Sequence, residues 1–65
     1  MYCLLTTNRR QERIVKVYLN GLRAFSICVH NLPKTERAFE PDKKEIASWI
    51  KHHGTAKQME CLAKH

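Results

Sequence analysis

An Asn-Gly dipeptide between two β-rich runs constrains this chain more than any other feature. The stretch reads Arg13-Ile14-Val15-Lys16-Val17-Tyr18-Leu19-Asn20-Gly21-Leu22-Arg23-Ala24-Phe25-Ser26-Ile27-Cys28-Val29-His30. Asn and Gly are the residues that most readily take the positive φ of a tight turn, so the two runs are expected to fold back as an antiparallel hairpin. Side-chain parity then selects the register. A two-residue turn with a regular ladder would set Val17 opposite Ala24 and Val15 opposite Ser26, leaving Phe25, Ile27 and Val29 on the wrong face. A three-residue loop, Leu19-Asn20-Gly21 with Gly21 left-handed, pairs Val15 with Phe25 and Val17 with Arg23. It gathers Val15, Val17, Phe25, Ile27 and Val29 on one side. That bulged loop is the expected one, with Ile14, Lys16, Tyr18, Leu22, Ala24, Ser26, Cys28 and His30 on the opposite face.

A lone hairpin is barely stable in water, so a further strand is needed. Tyr2 to Thr7, rich in β-branched and aromatic residues, supplies it, with Asn8-Arg9-Arg10-Gln11 as the connection. After the hairpin, Asn31 to Arg37 reads as loop. Ala38-Phe39-Glu40 reads as a short edge segment stopped by Pro41.

The carboxyl-terminal part is helical. Asp42 and Glu45 form a D-x-x-E capping pair, and Ile46, Trp49, Ile50 and His53 follow the spacing of one helical face. Gly54 suits a left-handed helix end, while Lys51, His52 and His53 lie where the helix dipole favours cations. Thr55 and Gln58 form a second capping box, opening a helix whose apolar stripe is Ala56, Met59, Leu62 and Ala63. One long helix tolerating Gly54 is the alternative. The expected fold is α+β: an antiparallel β-hairpin or three-stranded sheet packed on one face by one or two C-terminal α-helices. It forms a single domain over residues 1–65, with the sheet in 1–40 and the helices in 41–65. This order of strands and helix in a small basic chain resembles the arm-binding domains of tyrosine recombinases. The likeness is one of topology, carries no shared motif, and implies sheet-based DNA binding without transferring any residue.

Charge enters next. Of 65 residues, 12 are Lys or Arg and 6 are Asp or Glu, a formal net charge of +6. Residues 1–30 hold Arg9, Arg10, Arg13, Lys16 and Arg23 against Glu12 alone, whereas seven bases and five acids share the rest. Phosphate backbones attract such a surface through counterion release, and arginine grips phosphate oxygens with a planar fork. Arg9, Arg10, Arg13, Lys16, Tyr18 and Arg23 are therefore the candidate nucleic-acid contacts, with DNA favoured over RNA and a two- or three-stranded ribbon entering the major groove. The same charges also serve solubility and discourage edge pairing, and an acidic partner protein, met through the hairpin edge or the Trp49 region, is the competing reading. Self-association would relieve the small core, so a homodimer is also expected.

Other chemistry is less well supplied. Cys28-x-His30 and Cys61-x-x-x-His65 have the spacing of a Cys₂His₂ zinc site, but Cys28 and His30 fall on the face away from the helices and His65 ends the chain. No metal and no cofactor is expected. A DNA-reading helix-turn-helix is disfavoured by bulky Ile50 four residues before Gly54 and by Glu60 six after it. No phosphate-binding glycine loop or paired general acid and base is present, so a regulator that is not an enzyme is expected. Three scattered cysteines and no apolar run of membrane length point to a cytoplasmic chain without membrane contact.

Overall fold

A computed structural model describes all 65 residues, Met1–His65. Four strands run Tyr2–Thr7 (β1), Arg13–Leu19 (β2), Leu22–Cys28 (β3) and Arg37–Phe39 (β4), followed by helices Lys43–His53 (α1) and Ala56–Ala63 (α2). They form one antiparallel sheet in the order β3-β2-β1-β4. The fold is α+β, with the helices packed on one side of the sheet. The segment expected at 38–40 becomes a true fourth strand, pairing Leu4 with Ala38 and Cys3 with Phe39.

Alternation along the strands builds the core. Cys3, Leu5, Val15, Val17, Leu19, Phe25, Ile27 and Val29 face the helices, which contribute Ile46, Ile50 and Leu62. No polar or charged residue is buried. Phe39 meets Trp49 in an edge-to-face pair with centroids 6.0 Å apart, so the half-buried tryptophan ties α1 to β4. No helix is long and apolar enough to cross a membrane.

The expected core faces form by a different register. Asn20 (φ 54) and Gly21 (φ 82) are both left-handed, and Leu19 pairs with Leu22: the loop has two residues, in the type I′ manner. The pairing then shifts between Val17 and Tyr18, so that Tyr18 opposes Arg23 and Val17 opposes Phe25. Ala24 is the extra residue of a bulge. The tight turn fits the strand twist, and the bulge restores the parity that the turn alone would have lost.

Two local devices also differ from the sequence reading. Gly54 is extended (φ −106, ψ −166), not left-handed. A Cβ there would lie 2.9 Å from Ile50 Cγ2 and 2.5 Å from Gln58 Oε1, so glycine serves close packing at the turn between the helices. The chain must leave α1 extended because Thr55 is already the N-cap of α2. Its capping box is complete: Thr55 Oγ1 accepts from Gln58 N–H at 3.2 Å, and Gln58 Oε1 accepts from Thr55 N–H at 2.9 Å. Of the stripe expected on α2, Leu62 is buried and Met59 half-buried, whereas Ala56 and Ala63 remain exposed. Such a short helix lays only its centre against the core.

Candidate nucleic-acid interface

The helices cover one face of the sheet and leave the other open. Register places three rows of side chains on that face: Cys28, Ile14 and Thr6; Ser26, Lys16, Leu4 and Ala38; Arg23, Tyr18 and Tyr2. None is acidic. Lys16 occupies the middle of the sheet, its stem half-buried between Leu4 and Ser26. In the last row the rings of Tyr2 and Tyr18 stack with centroids 4.7 Å apart and planes within 4°. Tyr2 was not among the residues expected here. Its signal lay in the connection between β1 and β2, which fixes Tyr2 opposite Tyr18 once Asn8 to Glu12 is recognised as a tight loop.

That loop has its own framework. Asn8 Oδ1 accepts from the backbone N–H groups of Arg10 and Glu12, each at 3.0 Å, while Asn8 Nδ2 donates to Glu12 Oε1 at 3.2 Å. Gln11 N–H donates to Asn8 O at 3.0 Å, and Gln11 itself is left-handed (φ 60). An Asx-type turn of this kind restricts the backbone and leaves Arg9 and Arg10 exposed at its apex. On this end of the sheet a small depression is lined by Thr7, Gln11 and Lys34, all hydrogen-bond donors. Lys34 carries a positive charge from the β3–β4 connection to the same region.

Arg13 does not join the group. It lies on the core-facing side of β2, opposite Thr7, where its Nη1 donates to the His30 carbonyl and its Nε is buried without a partner. Its guanidinium ties the end of β2 to the segment after β3. The remaining bases separate into the Arg9–Arg10 loop at one end, Lys16 in the middle, and Arg23 beside Tyr18 at the other. The one ion pair of the molecule is Lys64–Glu60 on α2, so no carboxylate holds these four. Glu36 and Glu40 bracket β4, whose own Arg37 is engaged over the Phe39 ring, so the free bases of the open face lie on β2 and β3.

The cysteines and histidines form a looser group. Cys28 Sγ lies 3.7 Å from Glu12 Oε2 and 4.0 Å from His30 Nε2, and the rings of His30 and His53 meet edge-on at 5.5 Å. Desolvation, then the Glu12 charge and hydrogen bond, raises the Cys28 thiol above its ordinary value. A thiol so placed stays protonated near neutrality, the opposite of an activated nucleophile. Cys61 is instead near Ala24, Phe25 and Gln58, and no three His, Cys, Asp or Glu residues are gathered closely enough to hold a metal ion. The Cys28, His30, Cys61 and His65 quartet is therefore not assembled.

Comparison with family models, curated proteins and solved structures finds no match for this chain.

Proposed function

We propose that this chain is a small, non-enzymatic nucleic-acid-binding protein, a cytoplasmic accessory regulator that grips phosphates through Arg9, Arg10, Lys16 and Arg23. One observation carries the reading: four bases on or beside the uncovered sheet face, none of them in an ion pair with a carboxylate. Lys16 and Arg23 lie on that face, and the Asn8-braced loop adds Arg9 and Arg10 at its end. Binding through four phosphate contacts gives a slope of log affinity against log salt of about −3. Charge reversal at both Arg9 and Arg10 flattens that slope and weakens binding to every sequence alike. Absence of binding to single-stranded and duplex probes at low salt would overturn the proposal.

A second reading, an acidic protein partner at the hairpin, is favoured by Leu22, which is 75% exposed beside the turn. The Trp49 region supports it less, because that ring is already packed on Phe39. Leu22→Ser separates the two: it leaves nucleic-acid binding intact and removes a partner held by the hairpin tip. The homodimer expected from the sequence has room on the open sheet face, where it would compete with nucleic acid. The β3 edge offers less, since Gln58 Nε2 already donates to the Ser26 carbonyl there.

A further inference from the structure

We infer that the ligand of the open face is a single strand with unstacked bases, resting on the Tyr2–Tyr18 pair while its phosphates follow β2 and β3. This inference rests on the nucleic-acid reading above and specifies its substrate.

Width argues first. A two-stranded ribbon enters a major groove about 12 Å across, as the sequence suggested for this chain. Here four strands stand side by side, and at about 4.8 Å per step their outer backbones are about 14 Å apart before side chains are added. The open face is therefore too broad to enter the groove and meets a duplex only through the outer phosphates.

Chemistry argues next. Duplex DNA hides the faces of its bases, so a face built to meet it needs bases and hydrogen-bond donors rather than flat apolar surface. This one carries two parallel tyrosine rings, with Tyr2 38% exposed, half-buried Leu4 beside Lys16 in its row, and half-buried Ile14 in the row next to it. Aromatic rings accept unpaired bases of any sequence, and aliphatic side chains pack against sugars and base edges. Tyr2 is the more open ring of the pair, and Arg23, the cross-strand partner of Tyr18, brings a guanidinium to the other side of the stack.

Charge gives the path. β2 is seven residues long, about 20 Å, with Arg9 and Arg10 beyond one end and Arg23 opposite Tyr18 near the other. Lys16 lies between them. Glu36 and Glu40 sit on either side of Ala38 at the β4 edge, while Arg37 of that strand lies over the Phe39 ring, so β4 adds carboxylates rather than free cations to the open face. The strand accordingly runs lengthwise over β2 and β3, from the arginine loop toward the tyrosines.

The test is fluorescence anisotropy at low salt with a labelled mixed-sequence 12-nucleotide DNA strand, its RNA equivalent, and the DNA duplex of the same sequence. Both single strands are expected to bind at least about tenfold more tightly than the duplex. Tyr18→Ala and Tyr2→Ala should each weaken the single strands about tenfold and leave duplex binding unchanged, while Tyr18→Phe retains the affinity. The double variant Glu36→Gln, Glu40→Gln should tighten binding severalfold. Tyr2 begins β1 and is partly exposed, so Tyr2→Ala keeps the test valid if Tyr18→Ala unfolds. Equal or tighter duplex binding, or unchanged single-strand affinity in Tyr2→Ala, would overturn the inference and leave phosphate binding standing. Failure of all three probes to bind would instead overturn the function proposed above.

Discussion

The two faces of this sheet come from the same strands and differ by one residue of offset. On one side Cys3, Leu5, Val15, Val17 and Ile27 are each at most 3% exposed. On the other, Leu4, Ile14, Lys16 and Tyr18 are half-covered by their neighbours along the same face. The first face is fixed by packing, since every side chain touches helix or neighbouring strand. The second owes little to packing and is free to be set by what it meets. Stability is thus carried by one set of alternate residues, binding as proposed above falls to the other, and substitutions should separate them.

The sharpest break in that comparison is Ile46→Ala against Leu4→Ala. Removing the fully buried isoleucine should cost about 2–5 kcal/mol, enough to unfold much of a 65-residue domain whose total stability is small. Leu4→Ala should cost under about 1 kcal/mol and lower single-strand affinity instead. Urea denaturation of the two variants checks the contrast.

Alkali probes the same core more gently. Burial pushes the Cys3 thiol up to about 11, with the amino terminus opposing and Glu45 adding to the rise. Because the folded value lies above the unfolded one, the fold favours the neutral thiol. Its contribution is intact below pH about 9 and is lost as pH rises toward 11. The urea midpoint should fall over that window, and Cys3→Ala should remove part of the fall. The same thiol should react with maleimide more slowly than Cys61 at pH 8.

The smallest effect belongs to the arginine loop. Gln11 holds a left-handed φ that glycine adopts without strain, so Gln11→Gly should raise stability by up to about 1 kcal/mol. Affinity for the labelled strand should stay the same, because the Asn8 bonds that brace Arg9 and Arg10 do not use the Gln11 side chain.

Much of this architecture was legible from local chemistry. Asn20-Gly21 announced the hairpin, Asp42 and Thr55 announced the helix starts, and Pro41 marked the end of β4. The register was not, because the turn and the bulge at Ala24 each shift the pairing and the sequence displays only their combined parity. Gly54 was misread for a related reason: a glycine after a helix looks the same whether it serves a left-handed angle or a close contact with Ile50. At the candidate interface, alternation places Lys16 and Tyr18 on the open side, whereas Arg23, expected opposite Val17 on the core side, comes to oppose Tyr18 only through the bulge at Ala24. The same alternation puts Arg13 on the side of Val15, and grouping by charge alone obscured it. Tyr2 was hidden because its importance depends on a partner sixteen residues away.

The single side-chain amide of Gln58 serves two elements at once. Its oxygen caps α2 at Thr55 and its nitrogen occupies the outward carbonyl of Ser26 on β3. An unguarded outer strand invites further copies to add themselves rung by rung into insoluble fibres. The second helix therefore takes one outward acceptor of that rim out of play and leaves fewer free groups for another copy to pair with.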